Sequence, residues 1–267
     1  MNSRKKINRS AVVLIVVLSF SESYQASAQS TDAIVCEKEA GEKAVSACSR
    51  LISTNAKNAF YFYWRGIKFA ASKDFDNAIK DFTSALKINP KKVLFYIDRG
   101  VALYKSKEFD RALADFNKAI LRDPRNSLAY YNRATINGKK GDYDKQIEDY
   151  NKAIRFNTNF IPAYYARGLA RLENGDCDKA IFDFTDVIIN YPKFPGVYSS
   201  RGLAWFDKKE PEKAISDFIQ ALIFDPDDEV ASEGLKVLHQ YDSSKGSRLA
   251  IRPARKMLLT RIPRMTL

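Results

Sequence analysis

One feature constrains this chain more than any other: it repeats itself every 34 residues. Arg65-Gly66, Arg99-Gly100, Arg167-Gly168 and Arg201-Gly202 stand at multiples of that spacing, with Arg133-Ala134 between them. Ala78, Ala112, Ala180 and Ala214 keep the same period. So do Phe82, Phe116, Tyr150, Phe184 and Phe218, and so do Pro90, Pro124, Pro192 and Pro226. A fixed period of this length marks an array of supersecondary units, and it takes precedence over any local reading.

One unit is enough to derive the local structure. In the second unit, apolar residues recur at three- and four-residue spacing over 94–106 and again over 109–122. That predicts two amphipathic helices, A and B. Gly100 and Ala112 are small where the two helices must approach, and Phe116 fills the space towards the next unit. Asp74, Glu108, Asp142, Asp176 and Glu210 stand at the start of each B helix. Acidic groups there suit the helix dipole, and the aspartates can cap it. The recurring proline stops helix B. One helix pair cannot bury its apolar faces alone, so the pairs must stack. Each unit also carries an arginine (Arg65, Arg99, Arg133, Arg167, Arg201) and an aspartate (Asp81, Asp115, Asp149, Asp183, Asp217) beside the packing positions. They are expected to form a structural ion pair in every unit.

The spacing of aromatic, small, Ala, Phe, Ala and Pro positions resembles the tetratricopeptide repeat, over about residues 59–228 with a weaker copy before them. The resemblance implies an all-α fold, a right-handed superhelical solenoid of antiparallel helix pairs. It implies little about function, because such arrays are scaffolds for unrelated partners. The expected units are 59–92, 93–126, 127–160, 161–194 and 195–228. A divergent helix pair over 29–58 precedes them and a capping helix over 229–242 follows. The third unit departs most: Ala134 replaces glycine, Gln146 replaces alanine, Thr158 replaces proline, and Asn137-Gly138 is expected to interrupt its A helix.

The ends read differently. Residues 1–28 have the form of a signal peptide: Arg4, Lys5, Lys6 and Arg9, then an apolar run from Ala11 to Phe20, then Ala26-Ser27-Ala28 before Gln29. The apolar run falls short of the ~20 residues a membrane span needs. A soluble, exported protein is expected, periplasmic or secreted. Residues 243–267 form a basic tail with Pro253 and Pro263, expected to be flexible. Export permits disulfides, so Cys36 and Cys48 are either bridged or two small buried thiols. Cys177 stands where other units have Phe75, Phe109 and Tyr143, and reads as apolar filler.

The net charge of +12 suggests nucleic acid until it is partitioned. The first 28 residues carry +3 and the tail carries +7, which leaves +2 for everything between. The array therefore lacks a basic footprint, and no nucleic-acid partner is expected. The tail is read either as a weak contact with an anionic membrane surface or as a solvated terminus. Nor does the sequence suggest an enzyme. His239 is the one histidine, the glycines are spread through the repeats, and the cysteines lack metal spacing. No cofactor or metal is expected.

In the family this chain resembles, helix A lines the concave face and partners lie there. Projection of the repeat then points to Tyr63, Ile67, Ile97, Val101, Tyr131, Asn132, Thr135, Tyr165 and Leu169. Some family members clamp a peptide carboxylate with Lys and Asn at the fifth and ninth places of the unit, and this chain has neither there. The expected role is a non-catalytic adaptor of the bacterial cell envelope that binds a protein or peptide segment. The alternative is a lipid or glycan binder that uses the tail and the groove tyrosines.

Overall fold

The structure is a computed structural model and describes residues 31–243 and residue 261. The signal-peptide reading of 1–28 lies outside the described residues, as does nearly all of the basic tail. The described residues form thirteen helices: α1 over 31–38, α2 Gly41–Thr54, α3 Ala59–Ala71, α4 Phe75–Ile88, α5 Val93–Lys105, α6 Phe109–Arg122, α7 Ser127–Lys139, α8 Tyr143–Phe156, α9 Ile161–Glu173, α10 Cys177–Asn190, α11 Val197–Asp207, α12 Pro211–Phe224 and α13 Glu229–Ser243. The architecture is an all-α helical solenoid. The chain divides into two compact units whose boundary falls inside α6, between Asp115 and Phe116. None of the helices among the described residues is long and apolar enough to cross a membrane.

The helix ends follow from local chemistry. Asn58, Asp74, Asn126 and Asp142 cap the helices that follow them by accepting a backbone N–H. Asp176 and Glu210 make no such cap bond. Each A–B turn puts one residue in the left-handed region: Lys73, Lys107, Gly141, Gly175 and Lys209. The return from B to A uses an Asn or Asp side chain that accepts the N–H two residues on, at Asn55, Asn89, Asp123, Asn157 and Asp225.

Packing within each pair rests on close approach. A Cβ added to Gly168 would lie 2.6 Å from the Phe184 ring, and one added to Gly202 would lie 2.7 Å from Phe218. The pairs are antiparallel: rings at the start of A meet rings at the end of B, as in Tyr130–Phe156 at 5.7 Å and Tyr198–Phe224 at 5.5 Å. In the first unit the Cys36 and Cys48 sulfurs are bonded, and the bridge joins α1 to α2. Val35, Ala47 and Leu51 pack around it.

The third repeat corrects an expectation. α7 runs unbroken through Asn137-Gly138. Gly138 does not interrupt the helix but makes room for the larger residue that replaces alanine, since a Cβ there would lie 2.4 Å from the Gln146 amide. Two departures from the repeat thus compensate each other in volume.

Candidate functional site

The arginine at the seventh place of each repeat unit holds several groups at once. Arg99 donates from Nε and Nη2 to both carboxylate oxygens of Asp115, at 2.7 Å each. Its remaining Nη1 donates to Thr83 Oγ1 of the preceding repeat at 3.0 Å. The pattern recurs: Arg65 holds Asp81 and Ser49, Arg133 holds Asp149 and Asn117, Arg167 holds Asp183 and Asn151, Arg201 holds Asp217 and Thr185. Four of these guanidinium groups also lie over a ring three residues earlier: Phe62, Tyr130, Tyr164 and Tyr198. The aspartates are buried and the arginines mostly so. With its fork filled in this way, each guanidinium has little left to offer a ligand. The link to the preceding repeat escaped the sequence reading, because nothing in one unit marks Thr83 or Asn117 as an acceptor.

The fifth-place residues are where sequence and structure part. Ile97, Tyr131 and Tyr165 were projected onto a partner-binding face, but all three are buried, as is Asn132. The cause is the direction in which this place points, towards the neighbouring repeat rather than towards solvent. Tyr165 lies 4.9 Å from Phe194 and its hydroxyl pairs with Ser200 at 3.0 Å. Burial pushes its phenol up to about 12. Tyr131 lies 5.0 Å from Phe160. Tyr63 is half-buried, stacks 4.8 Å from Phe95, and donates its hydroxyl to Asp98 at 2.7 Å. These tyrosines are inter-repeat cement, and with Tyr131 and Tyr165 gone from the surface a tyrosine-lined groove is no longer available for lipid or glycan.

The ninth-place residues behave differently. Ile67, Val101, Thr135 and Leu169 stay half-exposed. Thr135 turns its hydroxyl back to the Tyr131 carbonyl. Ile67 and Val101 come together in the first compact unit. They line a cleft of about 530 Å³ with Ala70, Phe75, Phe82, Asp98, Lys73 and Lys105. Its walls are mainly apolar. Asp98 is largely removed from water, and burial raises its pKa even though the Tyr63 hydroxyl favours the charged form. The two lysines bring positive charge to the lining. Such a cleft can take an apolar side chain together with a group that donates to Asp98 or pairs with lysine. Of its lining, the projection found Ile67 and Val101 at the ninth place and Asp98 at the sixth. Ala70, Lys73 and Lys105 were missed because they lie at the end of helix A and beyond it, outside the places projected.

Among the described residues, no group of three His, Cys, Asp or Glu is placed to hold a metal ion. The tetratricopeptide repeat sequence profile matches residues 63–120, 97–159 and 165–229, more than half of the chain. No curated protein matches the chain. Solved structures do. The MamA protein is 27% identical with a TM-score of 0.59, over 64% of this chain and 93% of its own. YrrB, described as a repeat protein of this kind with an unusual peptide-binding site, is 20% identical with a TM-score of 0.61, over 72% and 99%. PilW, described as a widely conserved type IV pilus biogenesis factor, is 18% identical with a TM-score of 0.65, over 72% and 90%. At these identities YrrB and PilW speak for the fold alone.

Proposed function

The chain belongs to the tetratricopeptide repeat family, and from that premise we propose that it is a non-catalytic adaptor docking a peptide or protein segment in the bacterial cell envelope. One observation carries the reading: the apolar cleft of the first compact unit, lined by Ile67, Val101 and Asp98. A preformed cleft between stacked helices costs little ordering on binding, which suits an extended or helical segment. The lysines in the lining favour a ligand with acidic residues flanking an apolar anchor. YrrB, with its printed peptide-binding site, is a precedent for this use of the fold. The envelope address rests on the signal-like residues 1–28.

The test is affinity capture from an envelope extract. Wild type is compared with Ile67→Glu/Val101→Glu, after melts show that the two fold alike. Both side chains are half-exposed, so the double variant should fold. A protein held by wild type and lost by the variant supports the cleft. Equal capture by both removes it as the site. Recovery of the tagged chain from the cytoplasmic fraction, with Met1 retained, would refute the address.

A further inference from the structure

Asp98 breaks a rule that the buried aspartates of the repeats keep. Asp81, Asp115, Asp149, Asp183 and Asp217 are buried, and each is gripped by both arms of an arginine fork. Asp98 lines the cleft of the first compact unit and is largely removed from water, yet its carboxylate receives only the Tyr63 hydroxyl, at Oδ2. Among the described residues its Oδ1 has no hydrogen-bond donor, and neither oxygen has a cation within ion-pair distance. Lys73 and Lys105 share the lining without pairing with it; Lys105 stands two turns further along α5. Burial is accordingly the largest influence on Asp98 and raises its pKa.

The joint between repeats does not require this charge. Tyr63 reaches forward 35 residues to Asp98, and Tyr165 reaches forward 35 residues to Ser200, where the two hydroxyls pair at 3.0 Å. A serine therefore holds the tyrosine without the cost of taking a charge out of water. Trp64, Asn132 and Ala166, at the same sixth place of other units, carry no charge either. A surplus carboxylate with one oxygen open, in a cleft lined by Ile67, Phe75, Phe82 and Val101, suits a donor that arrives with an apolar body.

We propose that Asp98 is the specificity-determining residue of the cleft, and that the docked segment places a basic side chain on its Oδ1 beside the apolar residue that fills the space. The inference rests on the cleft being the docking site. The basic side chain does for Asp98 what the arginine forks do for the other aspartates, but from outside the chain. Lys73 and Lys105 remain for acidic residues on either side of that pair, so the segment carries both signs of charge around one apolar anchor.

Hexapeptide probes test this on the full chain. Each has leucine at its third place, glutamate at both ends, and arginine, lysine or the neutral isostere citrulline at its fourth. By fluorescence anisotropy, wild type should bind the arginine and lysine peptides about tenfold tighter than the citrulline peptide. Asp98→Asn and Asp98→Ser should erase that preference while leaving citrulline binding unchanged. Asp98→Ser should melt no lower than wild type, since Ser200 does the same work at its own joint. A clearly lower melt makes the carboxylate a structural group and overturns the proposal. Equal binding of the peptides by wild type overturns it, as does no binding at all, or a preference that survives in the Asp98 variants. Ile67→Glu/Val101→Glu separates this inference from the reading beneath it. If that variant abolishes binding while Asp98→Asn changes nothing, the cleft stands and the role of Asp98 falls. If it leaves every peptide bound as before, the cleft itself falls.

Discussion

Arg99 shows how one side chain can be committed in several directions. It is 16% exposed and its partner Asp115 is 3% exposed, so removing the cation leaves a buried carboxylate without its counter-charge. Arg99→Ala should cost about 3–5 kcal/mol in urea or thermal melts. Arg99→Lys should recover only part of that, because an ammonium cannot reproduce the fork that reaches Asp115 and Thr83 together. A melt of Arg99→Ala matching wild type would count against the structural role. Tyr165 makes a prediction of a different kind. Its folded pKa is about 12, raised by burial from 10.0. The folded state therefore keeps the phenol proton at a pH where the unfolded chain has released it. Stability from this group is whole below pH 10 and falls as pH rises from 10 to about 12. Two pKa units correspond to about 2–3 kcal/mol. Tyr165→Phe should melt with a shallower alkaline decline than wild type, and parallel pH profiles for the two would sink the assignment.

The elements are regular where the sequence is regular, and their joints show where it is not. Every A–B turn needs one residue with positive φ, and three of the five use lysine at φ near 62–64°. A side chain with a Cβ loses about 1–2 kcal/mol in that region, while glycine adds back part of the cost as chain entropy. Lys107 is exposed, so Lys107→Gly should stabilise the protein by about 0.5–1 kcal/mol. A lower urea midpoint for the variant would show that Lys107 makes a contact worth more than its strain. This place was illegible in the sequence because lysine carries no signature of the left-handed region. The B–A turns were equally silent: Asn89 and Asp123 look like any polar residue before proline until their side chains are seen accepting an N–H.

At the scale of the whole molecule, the repeat made the fold legible. Each register is a packing requirement stated four or five times, and Gly168 under Phe184 is the same requirement as Gly202 under Phe218. The site was harder to read, for a definite reason. Helix A is apolar on two faces, and the sequence does not say which one meets the next repeat. Projection of the fifth place puts Tyr131 and Tyr165 on the open face, yet they fill the seam between repeats. Ile67 and Val101, projected onto the same face, do line the cleft. Only neighbours settle such a choice, and neighbours lie about one repeat away in sequence.

The arginine contacts give the array a direction. Each guanidinium reaches backwards, to a hydroxyl or amide in the repeat before it, and Ser49 provides that group even for the first full repeat. The series closes at Ile219, which has no oxygen to offer. An interior repeat duplicated and inserted after residue 228 would bring an arginine whose Nη1 met a hydrocarbon. The same repeat inserted after residue 92 would find Thr83 waiting. The backward link is therefore a property of the joints and not of the repeats: a repeat is welcome wherever an oxygen waits for its arginine, and Ile219 offers none.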